Sequence, residues 1–183
     1  CLSSLSIDNY HLNVGRILIR NGTVVSPSGS WAADVLVDGE IVVGLFEPSA
    51  VEALGITADR TIDAAARYVI PGGVDVHTHM QLPMGPTFSS DTFETGTIAA
   101  AWGGVTTIVD FASQQVGERV MDGLEARHGE AAGNCAIDYA FHQTIGGVDD
   151  ESLLAIRQLV EREGVSSIKL FMAYPGAYYS DDG

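Results

Sequence analysis

Two histidines separated by a single residue carry the sharpest chemical signal in the chain. They are His77 and His79, at the end of an apolar run that begins at Gly73. If this run is a β-strand, side chains two residues apart point to the same face, so both imidazoles lie together. Two neutral imidazole nitrogens on one face can bind one divalent metal ion, and Asp75 on that face could orient one ring. The alternative is a pair of hydrogen-bonded histidines without a metal.

A lone lysine strengthens the metal interpretation. Lys169 is the only lysine among nine basic residues, and it lies inside the apolar, strand-like run 167–173. Burial disfavours the charged ammonium form, and a neutral amine can add carbon dioxide to become a carbamate whose two oxygens bridge two metal ions. We therefore predict that Lys169 joins His77 and His79 in a metal centre. The alternative is a lysine whose stem covers apolar surface while its amine reaches solvent.

The elements that must position these side chains change in type along the chain. Residues 1–14 are polar and irregular and are predicted to form a leader or flexible arm. Short apolar runs then predict a small β-module over residues 15–66, with turns at Asn21-Gly22 and Asp38-Gly39, dipeptides typical of hairpins. Over residues 67–183, strand-like runs alternate with helix-like stretches, which indicates βαβ units and a parallel sheet.

The second region predicts an α/β fold. Its strands are expected at 73–79, 106–111, 136–142 and 167–174, and its helices at 91–103, 116–132 and 151–163. No Gly-x-Gly-x-x-Gly follows the first strand, which favours half of a (β/α)8 barrel over a dinucleotide-binding sheet. A complete four-stranded open α/β domain is the alternative. Trp102 is expected in the core, and His142 is expected to be hydrogen-bonded at a strand end rather than a metal ligand.

Composition and charge exclude several classes of partner. The chain has 24 acidic and nine basic residues, a net charge of −15, which would repel nucleic acid and anionic membrane surfaces. Its two cysteines are far apart and make no disulfide framework, so we expect a cytoplasmic protein. No apolar run approaches the roughly 18 residues that span a bilayer. Because the chain begins at Cys1 and stops after a strand-and-loop pattern, we also expect it to be truncated.

Three motifs together resemble the dihydropyrimidinase/hydantoinase branch of the cyclic amidohydrolases. They keep their order and spacing within a match that runs from about Gly15 to the last residue; the motifs are Gly73–Pro83, Ala101–Phe111 and Ile168–Tyr174. The resemblance implies that residues 67–183 are the first half of a (β/α)8 TIM-like barrel and that residues 15–66 are part of a small β-sandwich. It also implies a centre of two divalent metal ions, expected to be Zn²⁺, and a homotetramer.

The resemblance also implies roles for individual residues. His77 and His79 resemble the first-strand ligands of the more buried metal, and Lys169 resembles the lysine, carboxylated by CO2, that bridges both metals. Tyr174 resembles the tyrosine that contacts the substrate and its developing oxyanion. The bulky residues of the substrate-gating loop are expected to be Phe171 and Tyr178. Two further histidines and a general-base aspartate have no counterpart before Gly183, so the fragment alone is expected to be inactive.

The reaction implied is hydrolysis of a small-molecule cyclic amide or ureide. A 5,6-dihydropyrimidine or a hydantoin would open to an N-carbamoyl amino acid. Gln81 stands where relatives that act on dihydroorotate carry an arginine for the substrate carboxylate, so a neutral ring is the better fit. An allantoinase-type enzyme is one alternative. A non-catalytic dihydropyrimidinase-like scaffold is another, although the presence of His77, His79 and Lys169 argues against it.

Overall fold

The chain divides into two compact units between Pro71 and Gly72. The computed structural model describes residues 15–84, 86–115 and 117–173. Among these residues, no helix is long and apolar enough to cross a bilayer.

A β-sheet forms the first unit. Its described strands are β1 (Ile17–Ser26), β2 (Gly29–Asp38), β3 (Ile41–Phe46), β4 (Arg60–Asp63) and β5 (Tyr68–Val69), with one short helix, α1 (Ala50–Ala53). The strand order is β3-β2-β1-β4, and β5 also pairs with β1. Strands β1, β2 and β3 form antiparallel pairs, whereas β4 and β5 run parallel to β1.

One of the two predicted hairpin turns is wrong. Strand β1 continues through Asn21-Gly22, where the pairing with β2 is irregular and Asn21 has φ of 63°. The buried carboxylate of Asp34 accepts the backbone N–H of Asn21 at 2.9 Å. Residues with positive φ occur both in one type of β-bulge and in tight hairpin turns, so the dipeptide alone does not distinguish them. The second turn is confirmed: β2 and β3 are joined around Gly39, whose φ is 60°.

A parallel sheet forms the centre of the second unit. The described strands are β6 (Gly73–Asp75), β9 (Val105–Ser113), β10 (Asp138–Ile145) and β11 (Ile168–Leu170), in the order β11-β10-β9-β6. The helices between them are α2 (Phe93–Trp102), α3 (Val120–Ala131) and α4 (Asp150–Arg162), and a small hairpin, β7 (Pro83–Met84) and β8 (Thr87–Phe88), follows β6. The predicted alternation and parallel pairing are confirmed. A doubly wound sheet reverses its strand order, and these four strands do not.

The core of the second unit lies between the sheet and the helices. Its fully buried side chains come from every helix and the two long strands: Phe93, Ile108, Leu124, Ile145 and Leu159. Trp102 was expected in this core, but it is 89% exposed. It lies nine residues after Phe93, which is about half a turn out of phase with it at about 3.6 residues per turn, so both cannot face the sheet.

A buried ion pair holds the segment that follows β6. Asp110 is 0% exposed and the Arg127 side chain 9%, and Arg127 Nη2 donates to Asp110 Oδ1 at 2.6 Å. The same nitrogen donates to the carbonyl of Met80 at 2.7 Å. The other oxygen, Asp110 Oδ2, accepts from Thr78 Oγ1 at 2.9 Å and from Met80 N at 2.8 Å. The ladder of β6 ends at Asp75, so these side-chain bonds, together with one backbone bond from Thr78 N to Val109 O at 3.4 Å, hold residues 78–80.

Replacing Arg127 with methionine tests this link. The variant keeps the aliphatic bulk but leaves the Asp110 carboxylate buried without its cation, which typically costs about 3–5 kcal/mol. Urea unfolding should show a loss in this range. Arg157→Met is the matched control, because Arg157 pairs with Glu161 on an exposed face and side-chain exposures are 77% and 56%. The control should lose at most about 0.5 kcal/mol; equal losses in both variants would contradict the assignment.

The start of α4 gives a pH-dependent prediction. Asp149 Oδ1 accepts the backbone N–H of Ser152 at 2.7 Å, and this bond, together with that from the Ser152 hydroxyl, lowers the pKa of Asp149. A lowered folded-state pKa contributes stability that is present above the unfolded pKa of about 3.9 and is lost as pH falls through the folded value.

Asp149→Asn keeps a capping side chain but cannot titrate. Stability of the wild type should therefore decline more steeply than that of Asp149→Asn as pH falls below about 4. Thermal unfolding midpoints of the two proteins at pH 7 and in this acidic range measure the difference. Parallel declines would show that the cap does not contribute to the acid sensitivity of the protein.

Candidate functional site

The three predicted metal ligands surround one aromatic ring, that of Phe111 at the end of β9. The ring centres of His77 and His79 lie 4.7 and 4.9 Å from the Phe111 ring centre. Lys169 Nζ lies 4.2 Å from the same centre. The two imidazole centres are 5.1 Å apart, in an edge-to-face arrangement. The structure therefore brings together side chains that are about 90 residues apart in sequence.

The histidine pair lies beyond its strand rather than within it. The prediction extended the strand to His79, but β6 ends at Asp75. Asp75 was predicted to orient a histidine ring; instead its Oδ1 accepts the backbone N–H of His77 at 3.1 Å, a local turn that short acidic side chains favour. The carbonyl of His79 accepts from Ser89 Oγ at 2.7 Å. Local bonds and the Asp110 link thus replace strand geometry in setting the positions of these two residues.

The surroundings of His79 suit a metal ligand. Partial burial lowers the pKa of His79, the nearby Asp110 carboxylate opposes this effect, and the Lys169 ammonium adds to it. The lowered pKa favours the neutral imidazole, the form that binds metals. His79 Nδ1 is buried and has no hydrogen-bond partner among the residues that the structure describes. An orphaned, neutral ring nitrogen fits coordination of a divalent ion.

Lys169 lies on β11 at the wall of an open cavity. The cavity has a volume of about 500 Å³, and His77, Phe111 and His142 also line it. The Lys169 amine contacts two aromatic rings, with Nζ 4.2 Å from Phe111 and 4.8 Å from Phe171. Lys169 is partly buried, and within the described ranges no carboxylate forms an ion pair with it. Its amine therefore faces the same space as His77, and its carboxylation stays a prediction.

The described residues supply only part of a metal site. In residues 15–84, 86–115 and 117–173, no three His, Cys, Asp or Glu side chains converge as a metal site would require. The side chains of His77, His79 and Lys169 suit a metal ion chemically, but they supply only part of the ligands that it needs. Phe171, predicted as part of a substrate gate, contacts the Lys169 amine. Tyr174 and Tyr178 lie outside the described residues.

Gln81, which stands where dihydroorotate-hydrolysing relatives carry an arginine, contacts the start of α2. Its Oε1 accepts the backbone N–H of Phe93 at 3.0 Å. Its φ of 50° lies in the left-handed region. Gln81 therefore stabilises the amino end of a helix.

Sequence reasoning overlooked Asp110 and Phe111, which organise the site without being ligands. Asp110 holds the segment that carries the histidines, and Phe111 is the ring that all three candidate ligands contact. The available signal was the acidic residue inside the apolar run 105–113, because a charged group in a buried strand requires a partner. His142 is hydrogen-bonded through both ring nitrogens, as expected.

Comparison with known proteins identifies relatives of this chain. The sequence profile of the amidohydrolase family matches residues 68–171. D-hydantoinase of Streptomyces coelicolor is 55% identical over 168 residues, which cover 92% of this chain and 36% of that protein. Dihydropyrimidinase of Rattus norvegicus is 38% identical over 170 residues, which cover 91% of this chain and 32% of the relative.

Solved structures give the same result. The crystal structure of dihydropyrimidinase from Brevibacillus agri NCHU1002 matches with a TM-score of 0.84 and 42% identity, covering 91% of this chain and 35% of that one. D-hydantoinase from Bacillus sp. AR9 matches with a TM-score of 0.82 and 41% identity, covering 91% and 34%. The chain spans about a third of the length of the curated relatives it matches. Since the profile match covers more than half of the sequence, the chain belongs to the amidohydrolase family.

Proposed function

We propose that the whole protein is a metal-dependent hydrolase of cyclic amides. Its substrates would be hydantoins or 5,6-dihydropyrimidines, and its products N-carbamoyl amino acids. The observation that carries the proposal is the convergence of His77, His79 and Lys169 on the Phe111 ring. The names D-hydantoinase and dihydropyrimidinase among relatives up to 55% identical support this substrate class.

The fold proposal follows from the order of the strands. We infer that the four parallel strands are the first half of a (β/α)8 barrel and that the sheet of the first unit is part of a small β-sandwich. Support comes from the sequential order β11-β10-β9-β6 and from the likeness to dihydropyrimidinase and D-hydantoinase structures at TM-scores up to 0.84. In such a barrel, the carboxyl ends of the strands surround the active site. A homotetramer is proposed for the whole protein.

His77 and His79 would hold a divalent metal ion, with zinc the first candidate. Bound metal ions supply Lewis acidity that polarises the ring carbonyl and makes water a better nucleophile at neutral pH. The burial that lowers the pKa of His79 keeps its imidazole neutral and able to bind. The Asp110–Arg127 pair keeps the backbone around both histidines in place and takes no part in the chemical step.

Lys169 would supply the bridging ligand after reaction with carbon dioxide. The neutral amine nitrogen attacks CO2, a C–N bond forms, and the nitrogen releases one proton to water, which leaves a carbamate anion. This converts a neutral amine into an anionic ligand with two oxygens. The amine has room for the added group because it borders the cavity of about 500 Å³. The retention of Lys169 beside both histidines also argues against a scaffold protein without activity.

Replacing Lys169 tests the proposal directly. Lys169→Arg keeps a cation near Phe111 but cannot form the carbamate, and Lys169→Ala removes both. In the whole protein, both variants should lose bound zinc and hydrolyse hydantoin and dihydrouracil at least about 100-fold more slowly, because even residues that only support metal ligands contribute 10–100-fold. Short carboxylic acids should restore part of the activity of Lys169→Ala by supplying the missing oxygens.

The carbamate has its own spectroscopic signature. Protein prepared with ¹³C-bicarbonate should show a carbamate carbon resonance that is absent from Lys169→Arg. If Lys169→Ala retained full metal content and activity without added acids, the bridging role would be wrong. A wild-type protein that bound no zinc would argue against the proposed function itself.

A further inference from the structure

His142 connects the two segments that carry the candidate metal ligands. Its Nε2 lies 2.8 Å from the carbonyl oxygen of Val76, and its Nδ1 is hydrogen-bonded to Ser167 Oγ. A carbonyl oxygen only accepts, so Nε2 carries the proton, and in the neutral ring Nδ1 accepts from the Ser167 hydroxyl. Both nitrogens are therefore occupied, and His142 has no lone pair left for a metal ion.

This connection spans β9, which separates the two strands that it links, so backbone pairing could not make it. In the order β11-β10-β9-β6, β10 is not a neighbour of β6, because β9 lies between them. The His142 ring lies over β9 with its centre 4.9 Å from that of Phe111, and reaches the segment after β6 at Val76. The His142 side chain thus links β10 to the segment that follows β6, on the face of the sheet that lines the cavity.

The two contacted residues are close in sequence to the ligands. Val76 directly precedes His77, so its carbonyl is part of the backbone that sets the position of that imidazole. Ser167 lies two residues before Lys169, and side chains two apart in an extended segment point to the same face. Movement of the His142 ring would therefore shift both ligand-bearing segments relative to each other.

We propose that His142 is a positioning residue that sets the separation between the histidine pair and Lys169. The inference rests on the proposed function, since it concerns the geometry of the same metal centre. Three neighbours restrain the ring: Val76 and Ser167 through hydrogen bonds, and Phe111 through a tilted ring contact. Groups that hold metal ligands in place typically affect metal affinity 10–100-fold.

Matched variants separate positioning from ordinary packing. His142→Phe keeps a ring against Phe111 but removes both hydrogen bonds, and His142→Gln retains an amide N–H that can replace the bond to Val76. His128→Phe is the control, because His128 is on α3 and packs against the neighbouring Phe141, with ring centres 4.9 Å apart. The same substitution thus tests a histidine whose ring contacts, among the described residues, are with Tyr139 and Phe141 of β10.

The experiment uses the whole protein and measures zinc affinity by competition with a chelator, alongside the ¹³C carbamate signal and urea unfolding. His142→Phe should bind zinc about 10–100-fold more weakly and show less carbamate. His142→Gln should recover at least part of the affinity, and His128→Phe should match the wild type. If His142→Phe does not fold, Ser167→Ala replaces it, because this variant removes only one hydroxyl and should still weaken zinc binding several-fold.

Two results would overturn the inference. One is wild-type zinc affinity in His142→Phe, or in Ser167→Ala if that variant is needed. The other is an equal loss of affinity in His128→Phe, which would indicate a general effect of stability. In both cases wild-type zinc binding and its loss in Lys169→Ala would leave the proposed function intact. Absence of zinc from the wild type and of any effect of Lys169→Ala would instead reject the proposed function.

Discussion

The buried contact between Asp110 and Arg127 is the constraint on which the site depends. The segment that carries His77 and His79 follows a three-residue strand and has little ladder pairing of its own. The carboxylate accepts four hydrogen bonds, one from Arg127, one from its own neighbour Phe111 and two from residues 78–80. A charge with 0% exposure is costly to bury, but this degree of pairing compensates for it.

Strand β9 serves the core and the site at once because its side chains alternate. Ile108, Asp110 and Ala112 are fully buried, and Ile108 and Ala112 pack within the core of the helix-covered side. Phe111 points the other way, to the cavity, where it contacts the candidate ligands. One strand thereby holds the histidine segment through one residue and supplies the central ring of the site through the next.

The cavity face combines a few polar groups with aromatic surface. Phe111 stacks against His79 with an interplanar angle of 29°, and the His142 ring is tilted by 36° to it, with ring centres 4.9 Å apart in both pairs. The stacking limits the His79 imidazole to few orientations before any ion binds. This is the property expected of a preorganised ligand set, in which affinity depends on the residues that hold the ligands as well as on the ligands themselves.

Sequence patterns by themselves identified the side chains that could bind a metal ion: two histidines two residues apart and one lysine in an apolar strand. The alternation of strand-like and helix-like stretches also predicted the parallel pairing of the strands. The same patterns misplaced the end of β6 and the Asn21-Gly22 turn, because local patterns do not specify bulges or which side-chain bonds replace strand pairing. Trp102 was misplaced although its spacing from Phe93 puts it on the opposite face of α2. Only tertiary structure decided that Phe111 lies among the ligands and that His142 reaches Val76, 66 residues away. These contacts depend on how neighbouring strands are ordered and how the sheet curves, and no short stretch of residues encodes that geometry.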